Sequence, residues 1–125
     1  MKAPISEATT LLQKGHLDGA RQLLEQFQKA YPKTQDNQVD ALLYFVYRGL
    51  GETEKAIAIC GKRLAQTEKA AMLSIWHLRR GILHLRAHQD MEAMDDFNTV
   101  LKINCNVEHV SQAKKSLAEA NITVN

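Results

Sequence analysis

Five histidines, two cysteines and an adjacent pair of aspartates are the side chains of this 125-residue sequence best suited to chemistry. His84 and His88 stand four apart, which puts both imidazoles on one helix face in a spacing that can chelate zinc. A protein zinc site takes three or four ligands, and His77, on the same face, lies about 10.5 Å from His84 by helical rise. No cysteine or carboxylate completes the set in sequence. The histidines therefore read as packed or solvated side chains, and neither a metal nor another cofactor is expected. Cys60 with a histidine could form a nucleophilic dyad, but it sits at a periodic apolar position, where a buried thiol is inert. Asp95 and Asp96 are adjacent, so they cannot both face one site on a helix, and Asp95 reads as a solvated charge. Gly49-Leu50-Gly51 follows a helix rather than a strand, the wrong context for a phosphate or dinucleotide loop. No residue set is arranged for a reaction, and the chain is expected not to be an enzyme.

Nucleic acid is a second class to weigh. Arg79 and Arg86 are seven apart and share a helix face, with Arg48 on an earlier helix, and helical repeats can read RNA with such residues. The net charge of +2 is small, and no basic run exceeds two residues, as at Arg79-Arg80 and Lys114-Lys115. That footprint is weak, so RNA binding stands as an alternative rather than the main reading. Hydrophobic content of 45% with 24% charged residues fits a chain that folds on its own, and the length suits one domain, 1–125. No apolar run approaches a membrane span, and MKAPISEATTLL lacks the apolar core and cleavage-like end of a signal peptide. A cytoplasmic location is expected. Cys60 and Cys105, far apart and outside any CxxC, then read as reduced thiols, with Cys60 a small core hydrophobe.

Apolar periodicity predicts seven helices. They cover about 4–14, 18–31, 38–49, 53–65, 68–87, 90 to 101 or 103, and 107–120. The expected caps are Asp18, Asp36 or Asn37, Thr53 and Thr67. Lys33 to Asn37 is a polar connector, and Ile122 to Asn125 reads as a frayed tail. The second helix carries Ala20, Leu23, Leu24 and Phe27 on one face and closes at Tyr31-Pro32. In the third, Val39, Leu42, Leu43, Phe45, Val46 and Tyr47 imply burial on more than one side. Tyr44, Phe45 and Tyr47 offer enough aromatic surface to support a homodimer. The seventh has a single apolar stripe, Val107, Val110, Ala113 and Leu117, as a terminal cap would.

The unit Gly15–Pro32 recurs. Gly51 follows Gly15 by 36 residues, Ala56 follows Ala20 by 36, and Ala93 follows Ala56 by 37; Leu24, Cys60 and Phe97 repeat at the same steps. Such a period marks stacked helix pairs, each burying its face against the next. Gly15, Ala20, Leu24 and Pro32 resemble the consensus of the tetratricopeptide repeat, as do Tyr47, Gly51 and Ala56, then Gly81, Ala93 and Phe97. His88 stands where a turn glycine is usual, and Glu68 and Cys105 where the closing proline is usual. The resemblance implies repeats over about 4–33, 38–67 and 74–104, with a capping helix over about 107–120. The fold expected is an all-α, right-handed superhelical stack of three antiparallel helix pairs plus that cap.

The same resemblance implies a protein-interaction scaffold or adaptor. Its concave groove, lined by the first helix of each pair, would take a peptide or amphipathic helix of another protein. In the register of Gly15, Gly51 and Gly81 the groove residues are Ile5, Thr9 and Leu12, then Ala41, Phe45 and Arg48, then Ile75, Leu78, Ile82 and Leu85. Arg79 and Arg86 join them, with Arg48 and Arg86 at the rim for acidic residues of the partner. Family members that dock chaperone tails use a basic clamp. The matching positions here are Ile5, Thr9, Leu42, Ile75 and Arg79, and only Arg79 keeps the clamp's character, which counts against that role. A chaperone-like holder of an apolar segment of a secreted or assembling partner is a further alternative. A second apolar stripe on the fifth helix, Met72, Trp76, Leu83 and Ala87, suggests that one stripe serves the core and the other a partner, unless the seventh helix or a second copy fills the groove. A register shifted by one residue would instead line it with Ser74, His77, Gly81 and His84.

Overall fold

A computed structural model describes residues 3–32 and 37–120. Its regular structure is seven helices, with no strand among the described residues. They are α1 (Ala3–Gln13), α2 (Leu17–Ala30), α3 (Asn37–Gly49), α4 (Thr53–Ala65), α5 (Ala70–Arg86), α6 (Asp90–Ile103) and α7 (Val107–Glu119). The all-α class expected from periodicity is therefore present. Contacts divide the chain into two compact units, Met1–Ile59 and Cys60–Asn125, with the boundary inside α4. Asp36, most of the 33–37 connector and the 122–125 tail lie outside the described residues.

Three helix-to-helix turns are built alike. Gly15 (φ +80°) and Gly51 (φ +76°) are left-handed, and so is His88 (φ +59°) after α5. At each, the left-handed residue's N–H donates back three positions, to Leu12 (3.0 Å), Arg48 (3.2 Å) and Leu85 (3.0 Å). The following N–H donates back five, to Leu11, Tyr47 and His84, each at 2.8 Å. The five-residue bond is that of a Schellman stop, which satisfies the last carbonyls of a helix and turns the chain. Glycine takes this conformation at no steric cost, whereas the Cβ of His88 is brought close to the following carbonyl oxygen.

Helix starts differ from expectation in instructive ways. His16 serves the Schellman bond and leads straight into α2, so Asp18 lies inside the first turn and pairs with Arg21 at 2.9 Å instead of capping. Asn37 and Thr53 are likewise the first residues of their helices. The fifth helix begins at Ala70 after Lys69, leaving Thr67 too far upstream to cap it. Asn106, read as a turn residue, is the side-chain cap of α7: its carbonyl oxygen accepts from the amides of Glu108 (2.9 Å) and His109 (3.1 Å).

In the first unit α1, α2 and α3 pack through Ala8, Ala20, Leu24, Phe27, Leu43, Tyr44 and Val46, all buried. The Tyr47 hydroxyl donates to Glu25 Oε2 at 2.8 Å, and Gln28 Nε2 to Asp40 Oδ1 at 3.2 Å, tying α2 to α3. Arg21 reaches Glu52 at 3.2 Å, fixing the start of α2 against the α3–α4 turn. In the second unit, Leu78, Ala93, Phe97, Val100, Ala113 and Leu117 form one apolar cluster drawn from α5, α6 and α7. Gly81 permits the close approach of α5 and α6, because a Cβ there would meet the Phe97 ring at 2.7 Å.

Burial follows the repeat. Ala20, Ala56 and Ala93 are fully buried, as are Cys60 and Phe97, with Leu24 at 1% exposure. A further column, missed in sequence because its residue types differ, is Ala8, Tyr44, Gly81 and Leu117. Its steps are 36, 37 and 36, and all four are buried.

Candidate functional site

Three of the expected groove residues of the first unit, Ile5, Thr9 and Ala41, lie at one cleft. Ile5 and Thr9 of α1 and Gln38, Ala41 and Leu42 of α3 line one cleft of about 260 Å³. Thr9 turns its hydroxyl back onto the Ile5 carbonyl at 2.8 Å, a bond that satisfies it inside its own helix. Phe45 follows Ala41 by one helical turn and is 37% exposed. Arg48, one turn further, sets its guanidinium over the rings of Phe45 (5.6 Å) and Tyr44 (5.8 Å). Leu12 is half-buried and not among the residues lining the cleft. Tyr44 and Tyr47 are buried, at 1% and 7% exposure, so the aromatic surface suggested for a dimer reduces on this helix to Phe45.

In the second unit the residues are placed differently. Leu78 is inside the apolar cluster with Ala113 and Leu117, and Ile75, Ile82 and Leu85 pack against that cluster, half-buried. Trp76 and Leu83 of the other stripe are buried too, at 1% and 0% exposure. The expectation that one stripe of α5 stays uncovered is thereby corrected: each stripe has residues inside the core. Arg79 stacks on the Trp76 ring at 4.7 Å, and Arg86 is exposed. The positions of the one-residue shift are packed as well. Ser74 meets His109 of α7, and His77, Gly81 and His84 meet Asp96 and Phe97 of α6.

That side of α5 holds a polar cluster that sequence reasoning missed. Asp96 of α6 is buried, its side chain 4% exposed. Arg80 donates to it twice, Nε to Oδ2 at 2.9 Å and Nη2 to Oδ1 at 2.8 Å. His77 Nδ1 lies 2.8 Å from Oδ1 and His84 Nε2 3.7 Å from Oδ2. Burial pushes the Asp96 carboxyl up, but hydrogen bonds from His77 and Arg80, with their charges, outweigh it and hold the group below the ordinary carboxylate range. The hydrogen bond to Asp96 in turn raises Arg80, against its own burial. Burial pushes the nearby Cys60 thiol up to about 12, although Arg79 and Arg80 pull the other way. It is therefore a thiol, not a thiolate, at neutral pH. Cys105 is exposed, and neither cysteine forms a disulfide. Part of the signal was available on α5: His77, Arg80 and His84 lie on one helix face.

His84 turns Nδ1 to Gln89 Oε1 at 2.7 Å, so the His84–His88 pair does not point at a common ion. Among the described residues no group of three or more His, Cys, Asp or Glu side chains is placed to hold a metal. No helix among them is long and apolar enough to cross a membrane. Compared with family models, curated proteins and solved structures, the chain gives no match.

Proposed function

We propose that this chain is a helical-repeat protein of the tetratricopeptide kind, three antiparallel pairs in a right-handed superhelical stack with α7 as cap, which holds a segment of another protein. The repeated Schellman turns at Gly15, Gly51 and His88, and the buried columns in the same register, support the architecture. The observation that carries the binding reading is the α1–α3 cleft. Its lining is largely apolar, and its volume of about 260 Å³ is below the roughly 300–1,000 Å³ of small-molecule sites. Such a cleft suits one or two side chains of a peptide or amphipathic helix, with Phe45 as an exposed aromatic anchor beside it. Arg48, already oriented by the rings beneath it, suits an acidic side chain next to those anchors.

A peptide library displayed on phage and selected against the intact chain tests this. Selected sequences should share apolar anchors, and Phe45→Asp or Ala41→Arg should weaken them at least about tenfold, the equivalent of 1.4 kcal/mol. Both positions are at least partly exposed, so the variants should keep the wild-type helical signal. Peptides bound equally well by both folded variants would place recognition elsewhere.

A further inference from the structure

Among the described residues four large apolar side chains are exposed: Tyr31, Phe45, Met91 and Val107. Tyr31 leans on Phe27, with ring centroids 5.1 Å apart, and Phe45 stands beside the α1–α3 cleft. Val107 is followed one turn on by Val110 and Ser111, neither of them charged. Met91 differs from all three. It sits in the first turn of α6 with 69% of its surface in water, and Asp90, Glu92 and Asp95 around it are all acidic and exposed. Asp95 follows Met91 by four residues, so the two share a helix face. The cleft presents the complement. Ile5, Thr9, Gln38, Ala41 and Leu42 line about 260 Å³ and carry no charge. Arg48 lies over the Phe45 and Tyr44 rings at 5.6 and 5.8 Å, and among the described residues no carboxylate pairs with it. Stacking engages the flat face of the guanidinium and leaves the N–H donors at its edge for a bidentate acceptor.

We infer that the α1–α3 cleft receives a second copy of this chain, through the first turn of that copy's α6. Met91 of one copy enters the cleft of the other, and Asp95 pairs with Arg48 beside it. Methionine suits a narrow cleft because it is unbranched and flexible, and its sulfur makes favourable contacts with an aromatic edge such as that of Phe45. The spacing agrees on both sides. Met91 and Asp95 are about 6 Å apart along α6, one turn, and the same turn of α3 separates Ala41 from Phe45, over which the guanidinium lies. The charges agree as well, one unpaired cation against a face with three carboxylates. The contact is heterologous, a knob on one copy and a socket on the next. It is small, so the association is weak and a partner segment can displace it. Self-association thus regulates the proposed binding site by competing for it, and it rests on that reading for the cleft being a docking surface.

The test is sedimentation of the intact chain at concentrations up to roughly 1 mM, the weak end of specific binding. The wild type should associate, and Met91→Asp and Arg48→Glu should each weaken association at least about tenfold. Arg86→Glu makes the same charge change at an exposed arginine of α5 and should leave association as it is. Exchanging the two charges, Arg48→Glu with Asp95→Lys in one chain, should recover most of what Arg48→Glu loses. Ala41→Arg blocks the socket and keeps the knob, whereas Met91→Asp removes the knob and keeps the socket. Neither should associate alone, and an equimolar mixture of the two should form a complex. A monomeric wild type, association that survives Met91→Asp, or a mixture that stays monomeric overturns the inference. Met91 is exposed, so Met91→Asp keeps the fold and decides the matter even if Ala41→Arg does not fold. Peptides selected on the cleft should still bind the Met91→Asp chain. If they do while the wild type is monomeric, only self-association is overturned; if they ignore Ala41→Arg, the cleft reading itself falls.

Discussion

Removing the Asp96 carboxylate should destabilise the second unit far more than removing the neighbouring one. Asp96→Ala deletes an anion whose side chain is 4% exposed and leaves Arg80 and His77, at 28% and 18% exposure, facing its place. Breaking a fully buried pair by removing one partner costs about 3–5 kcal/mol. Arg80 is over a quarter exposed and can turn toward water, which recovers part of that, so the expected loss is about 2–3 kcal/mol. Asp95→Ala, on the exposed side of the same helix, should fall within about 0.5 kcal/mol of wild type. Trp76 supplies the assay. It is the single tryptophan, 1% exposed on α5, so its emission in a urea titration follows this unit. At this chain length the loss corresponds to roughly 10 °C in Tm. Asp96 is held below its ordinary value of 3.8. A lowered folded-state value means that its contribution is fully present above that pH and fades as pH falls through the lowered one. The gap between wild type and Asp96→Ala should shrink below pH 3.8. An Asp96→Ala loss no larger than that of Asp95→Ala would refute the view that this ion pair secures α5 to α6.

Gly81→Ala should be destabilising by up to about 2 kcal/mol, because its Cβ would meet three Phe97 ring atoms within 3.1 Å and overpacking outweighs the gain in helix propensity. Gly61→Ala, where a Cβ would meet nothing within 4 Å, should stabilise by about 0.5–1 kcal/mol in the same titration. His88→Gly relieves a left-handed histidine and should add about 1 kcal/mol, raising Tm by a few degrees, whereas Gly51→Ala should subtract a similar amount. Cys105 should react with a thiol reagent in the native protein at pH 7, and Cys60, buried with its thiol pushed up to about 12, only in denaturant, so Cys105→Ser should leave no fast-labelling thiol.

What could be read in the sequence was whatever a residue type announces by itself. Ala20, Ala56 and Ala93 are small at a fixed step, and each is fully buried. Gly15 and Gly51 mark left-handed stops because glycine is the residue that takes them freely. His88 adopts the same geometry against its own preference, and only the period points to it. Types that change along a column hide it: Ala8, Tyr44, Gly81 and Leu117 share one register yet differ in size, charge and shape. Asp96 was hidden for a different reason. A carboxylate defaults to solvent, and its partners are 12 to 19 residues away, so its burial exists only once α5 and α6 are side by side. The two stripes of α5 show the same limit. Both are apolar, and periodicity ranks neither as core, while packing places Leu78 under α7 and buries Trp76 and Leu83 as well. On α1 and α3 the positions of Ile5, Thr9 and Ala41 fall together at one cleft, because both helices also pack on α2 and turn another side outward. On α5 the corresponding positions meet α7. The candidate binding surface therefore depends less on which residues occupy the groove register than on which helix covers them.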